Sequence, residues 1–168
     1  MLLPTLQKIL QTAATHLNDV TVAELNAKPD PGRWSKKELL GHLIDSAYNN
    51  HQRFLRAPTQ TDLRFVGYDQ DEWVRRNAYQ QRPAEEVIAL FFAVHHHLAH
   101  TIATIPDDML HRETSEHDFH RMAMRRVPAG EPRSLGFLIE DYLYHLVHHL
   151  RQLFPGFEAE WFCGFSKR

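Results

Sequence analysis

The chain has 168 residues, 43% hydrophobic and 24% charged, with a formal net charge of −2 and one cysteine, Cys163. That length suits a single domain spanning residues 1–168, and the lone cysteine excludes a disulfide framework or a cysteine-rich zinc site. The charge balance argues against nucleic acid as the main partner, and no apolar run approaches the ~18 residues of a membrane span.

Residues 4–19 carry the first helical periodicity, with Pro4 placed in a first turn. A short helix is expected over residues 21–26. The second long segment covers about 35–57: Ser35 and Glu38 form a capping box at its start, and Pro58 closes it. Another short helix is expected over 69–79. The third long segment, about 83–105, opens on Pro83 with Glu85 and Glu86 in its first turn and ends before Pro106. The fourth, about 134–153, starts at Ser134 as N-cap and stops before Pro155 and Gly156. No segment alternates convincingly as a strand. The expected fold is all-α, a four-helix bundle with long connecting loops that contain short extra helices. Arg125, Arg126 and Arg133 fall in one such loop and read as solvated. The start, MLLPTLQKIL, lacks the marks of a signal peptide, so a cytoplasmic protein is expected. The aromatic-rich end, FPGFEAEWFCGF, suits either a cover over one end of the bundle or a partner surface, and Cys163 within it reads as structural or incidental.

Histidine is the unusual residue, at 13 copies. In the fourth segment Leu135, Ile139, Tyr142, Leu146, Leu150 and Leu153 share one arc, the core face. His145 and His149, four apart, run along one edge of it, and His148 points elsewhere. Their Cβ atoms should lie ~6 Å apart, which suits two nitrogens sharing one metal at ~2 Å each. In the second segment His42 borders the apolar arc in the same way and heads a polar stripe with Ser46, Asn49 and Arg53. Bundles build metal sites from inward residues on facing helices, and three ligands leave a fourth position open. A hydrogen-bonded pair at the core edge explains the same spacing. In the third segment His96, His97 and His100 face away from the core and His95 lies near its edge; a solvated or subunit-facing surface is expected there. His111, His117 and His120 read as solvated loop residues.

Three stretches carry a resemblance: WSKKELLGHLIDS at 34–46, GYDQDEW at 67–73, and DYLYHLVHHLRQ at 141–152. With the spacing between them, the sequence resembles the DinB superfamily of bacterial four-helix-bundle, metal-binding proteins over nearly the whole chain. The resemblance implies a divalent metal, zinc or nickel, held by His42, His145 and His149, the trio that the helical faces also select. Many relatives end the last motif as histidine-arginine-glycine-glutamine, whereas this chain reads His149-Leu150-Arg151-Gln152. It also implies a cytoplasmic bacterial homodimer with a small-molecule substrate. Characterised members include S-transferases and isomerases that use low-molecular-weight thiols, so a metal-dependent thiol transferase is the leading expectation. Metal-dependent hydrolysis is the alternative, and a non-catalytic metal-binding dimer, a sensor or store, is the third. In the leading scheme Asp45 and Asp141 are placed to orient an imidazole, with an exposed acid as the plainer reading of each. Asn49 and Arg53 are placed to bind a carboxylate of the thiol cofactor, with a surface stripe as the plainer reading.

Overall fold

Ser35 starts the helix that carries much of the site. In the computed structural model, which describes residues 2–159, its hydroxyl accepts from the Glu38 amide at 3.1 Å. The Glu38 carboxylate returns the bond to the Ser35 amide at 2.8 Å. The box satisfies two donors that a helix start would otherwise leave bare. Thr21 and Glu24 repeat it on the short helix before.

The helices are α1 (Leu2–Asp19), α2 (Val22–Asn26), α3 (Lys36–Arg56), α4 (Gln70–Asn77), α5 (Ala84–Ala103), α6 (Asp107–His111), α7 (Phe119–Met122) and α8 (Leu135–Leu153). The four long ones form the bundle, and α2 and α4 occupy two of the long connections as expected. Helix α3 packs on α5 and α8, and α1 packs on the same two. Two features were not read from the sequence. Helices α6 and α7 break the third connection, and β1 (Glu113–Thr114) pairs antiparallel with β2 (Arg133–Ser134). Strands of two residues are too short to show alternation. No helix among the described residues is long and apolar enough to cross a membrane.

One apolar core runs through the bundle, with Leu6, Leu40, Leu43, Phe54, Phe91, Leu98, Ile139 and Leu150 all fully buried. Each such side chain contributes roughly 1.5–3 kcal/mol of transfer free energy. Helix α8 is buried around most of its circumference. The FPGFEAEWFCGF stretch begins by burying Phe154 and Phe157, which flank His16 at 5.2 and 5.5 Å between ring centroids. Residues 160–168, Cys163 among them, lie outside the described residues.

Gly41 is where α3 receives the α4–α5 connection. A Cβ there would stand 2.1 Å from Cδ2 of Tyr79. The Tyr79 ring is buried, and its hydroxyl donates to Asp45 Oδ1 at 2.7 Å. Asn77 donates to the same oxygen at 2.8 Å. Gly41→Ala is expected to lower stability by about 3 kcal/mol, the upper part of the overpacking range, and the melting temperature by roughly 6–12 °C. Alanine is the better helix former by about 1 kcal/mol, so a fall in stability reports the ring clash and a rise would exclude it.

His95 departs from its expected place at the core edge. It is 0% exposed, its Nδ1 bonds the Phe91 carbonyl at 2.7 Å, and its ring stacks with Tyr142 at 6.3 Å between centroids. Burial pushes its pKa down to about 4. Between pH 6.5 and about 4 the unfolded chain therefore binds a proton there that the folded chain refuses. Stability falls as pH drops through that window, by on the order of 3 kcal/mol from this group. His95→Leu is expected to remove that part of the slope, read from denaturant unfolding at pH 7.5 and 4.5. His96, His97 and His100 are exposed, as their helical face predicts.

Candidate metal centre

His42 lies in the second turn of α3, and His145 and His149 lie in the second half of α8. Ser35 fixes the position of α3 beyond its own cap: its hydroxyl donates to Gln80 Oε1 at 2.6 Å, and Gln80 in turn donates to the Asn26 carbonyl at 2.9 Å. Ser134 caps α8 by accepting from the Phe137 amide at 3.3 Å. Between these anchored helices the three imidazoles converge. Ring centroids are 5.1 Å apart for His42 and His145, 4.9 Å for His42 and His149, and 4.5 Å for His145 and His149. One ring nitrogen from each lies within 4.8 Å of the other two. No other group of three histidine, cysteine or carboxylate side chains comes this close among the described residues.

The Nε2 atoms of His42 and His145 face each other at 3.1 Å. Two nitrogens at ~2.05 Å from one tetrahedral ion would stand about 3.3 Å apart, so this pair is near ligand spacing. His149 has its tautomer set from behind. Its Nδ1 donates to Gln152 Oε1 at 2.8 Å, while Gln152 Nε2 donates to His148 Nε2 at 2.9 Å. That leaves the His149 Nε2 lone pair available for a cation. Burial, with the neighbouring imidazoles adding to it, pushes His42 down to about 4 and His145 well below the ordinary histidine value. His149 is lowered by burial as well. All three are thus neutral at pH 7, the form that binds metal. The residues fit a divalent ion. Among the described residues the buried Nδ1 atoms of His42 and His145 have no hydrogen-bond partner, and Gln152 is the residue that orients a ring of the triad from behind. Gln152→Ala is expected to weaken zinc binding 10–100-fold, measured by competition with a chelating dye.

The triad stands between two open spaces. An outer cleft of about 790 Å3 is bordered by Trp34, Leu39, Gln70, His149 and Gln152. The Trp34 ring lies 5.1 Å from His42 between centroids. An inner cavity of about 320 Å3 is bordered by His42, His145, Ser46, Asn50, Arg53 and Tyr142, among others. Asn50, not Asn49, lines it: the cavity opens toward the apolar arc of α3, where residue 50 points, and the half-buried Asn49 falls to the side.

Neither acid placed beside the histidines hydrogen-bonds an imidazole. Both are buried rather than exposed. Asp45 takes its bonds from Tyr79 and Asn77, and burial pushes its carboxyl up to about 6. Asp141 accepts from the amides of Met124 and Arg125 at 2.9 Å each and from Arg125 Nε at 3.2 Å. Arg125 is therefore not a solvated loop residue. Its guanidinium also lies 3.6 Å from Glu140 and sits over the Phe137 ring at 4.4 Å. Arg133 likewise covers Phe137, at 5.2 Å, while Arg126 is the exposed member of the three. His117 is buried too: it bonds the Glu131 carbonyl at 2.8 Å and stacks on Phe119. Those partners lie within the same loop, whose fold no periodicity could reveal. His111, exposed at the end of α6, and His120, exposed on α7, lie apart from the triad.

Fold and site together define a helical-bundle protein with a three-histidine centre suited to a divalent metal. The chain belongs to the DinB superfamily, whose family model matches residues 5–153. Two relatives, from Oceanobacillus iheyensis and Geobacillus kaustophilus, are each 26% identical to it and are named as candidate metal-dependent hydrolases. The first match covers 88% of this chain and 77% of the relative, the second 86% and 74%. Among solved structures, YfiT from Bacillus subtilis superposes with a TM-score of 0.70 at 18% identity, over 90% of this chain and 81% of that one. YfiT is described as a probable metal-dependent hydrolase with an unusual four-helix bundle topology.

Proposed function

We propose that His42, His145 and His149 hold one divalent ion, zinc or nickel, and that the protein is a metal-dependent enzyme joining a low-molecular-weight thiol to a small electrophile. The observation that carries this reading is the closeness of three neutral imidazoles, flanked by one cavity on the α3 side and a cleft on the Trp34 side. When bound, such an ion keeps a coordinating thiol in its thiolate form at neutral pH. The chain's own residues do the rest. Gln152 holds the His149 ring with Nε2 forward, and Trp34 covers His42 on the cleft side. The two spaces give room for two reactants on either side of the histidines.

Hydrolysis is the second reading, favoured by the names of the two relatives. It calls for a general base beside the centre. Asp45 is committed to Tyr79 and Asn77, and Asp141 to the 124–125 backbone, which weighs toward the thiol reaction. Zinc- or nickel-loaded protein is to be offered model electrophiles with and without cellular thiols, beside model esters and amides. Thiol-dependent consumption of the electrophile supports the first reading. Ester or amide cleavage without thiol replaces it with the second. A full equivalent of metal with neither activity leaves a sensor or storage protein. The cytoplasmic location and the homodimer belong to the same proposal, the dimer being checked by sedimentation.

A further inference from the structure

The inner cavity holds a cation with no anion bonded to it. Arg53 is half-buried in its wall, and its bonds go to neutral oxygens: Nη1 to Asn50 Oδ1 at 3.3 Å and Nη2 to the Val66 carbonyl at 3.4 Å. Both are long, and its buried Nε has no partner among the described residues. No carboxylate forms an ion pair with it among the described residues. The groups whose charge it feels are Tyr68 and Asp118; Asp118 lies beyond salt-bridge distance, accepts from the Phe65 amide at 3.4 Å through one oxygen and keeps the other buried without a partner among the described residues. A guanidinium has five donors and a lasting charge, and burying one without a counter-charge is unfavourable. The same cavity is lined by Tyr142, whose buried hydroxyl also has no partner among the described residues, and by Tyr68. Asp141 borders it as well, but its oxygens are taken by the 124–125 amides and Arg125. Met122, Met124 and Leu138 supply apolar wall.

We propose that this cavity binds the carboxylate end of a small organic acid on Arg53 and Tyr142, with the remainder of the molecule directed at the histidine triad. One guanidinium matches one negative charge, and its planar fork suits a carboxylate in two-point contact. Arg53 follows His42 by eleven residues on nearly the same helix face, so their Cα atoms are about 16 Å apart along the axis. The two side chains lean the same way, toward the helix N-terminus, and the arginine is the longer, so the guanidinium stands roughly two to three helical turns, about 11–16 Å, from the His42 ring. A ligand that reaches both is therefore a chain or ring of modest length with its charge at one end. The inference names the substrate class for the activity proposed above, and it rests on that reading only for what happens at the far end.

The test uses chelator-treated protein, so that a carboxylate cannot bind through the metal. Hexanoate, hexanamide and inorganic phosphate are titrated by calorimetry and thermal shift. Hexanoate is expected to bind at least tenfold more tightly than hexanamide. Arg53→Met is expected to abolish that preference, Arg53→Lys to restore part of it, and Tyr142→Phe to weaken hexanoate alone. Equal binding of acid and amide, no binding of hexanoate at 50 mM (about the weakest binding calorimetry reads), or an undiminished preference in Arg53→Met overturns the proposal. Phosphate binding more tightly than hexanoate overturns the carboxylate assignment. The comparison of acid with amide needs no variant, so it stands even if Arg53→Met does not fold. Hexanoate bound with that preference by a protein that takes up no zinc or nickel would sink the metal reading and leave this one intact.

Discussion

Replacing His145 and His149 together with alanine is expected to reduce bound zinc or nickel from about one equivalent per chain to below about a tenth, measured by elemental analysis after loading and desalting. The pair supplies two of the three converging nitrogens, and no other group of three histidine, cysteine or carboxylate side chains comes as close among the described residues. A single imidazole does not hold a divalent ion through desalting. The helices should survive the change, because α8 is fastened by Leu146, Leu150 and Leu153 on its core face and capped by Ser134. Helical circular dichroism therefore checks that the fold is retained. A full equivalent of metal in the folded double variant would mean that the ion sits elsewhere.

Asp141→Ala is expected to cost about 3–5 kcal/mol, the range for removing one partner of a buried charged pair. The carboxylate is 7% exposed and the Arg125 side chain 17%, so water replaces little of what is lost. Two backbone amides and a guanidinium lose their acceptor at once. The effect should extend to the inner cavity, because the amides that Asp141 holds belong to the segment carrying Met122 and Met124 into its wall. A loss below about 1 kcal/mol in chemical denaturation would show that this segment is held by other contacts.

Why were the three histidines legible and the two acids not? A helix repeats about every 3.6 residues, so the apolar pattern of a single segment tells which edge each polar residue occupies. His42, His145 and His149 each sit at the border of such an arc, and packing α3 against α8 brings the borders together. Asp45 also lies on α3, yet its partners Asn77 and Tyr79 come from beyond a long connection. Asp141 meets residues 124 and 125 of a loop without periodicity. The same limit explains Arg125 and His117, which read as solvated because a loop sequence says nothing about what it folds onto. That Asn50 rather than Asn49 of the polar stripe borders the cavity has a related reason: a wheel gives the angle of a residue but not whether a neighbouring helix or an open space faces it.

By itself, then, the sequence determined the four long helices, the capping box that starts α3, and the edge of each helix on which the triad histidines stand. All of these follow from local repeat and local hydrogen bonding. The tertiary structure alone decided that the three rings converge to within bonding reach of one ion, that Asp45 and Asp141 hold the frame rather than the imidazoles, and that Arg53 faces a cavity with no carboxylate ion-paired to it among the described residues. Those outcomes depend on how far apart helices settle and how they are turned about their axes. Both are set by the shapes of side chains distant in sequence, which no single segment encodes.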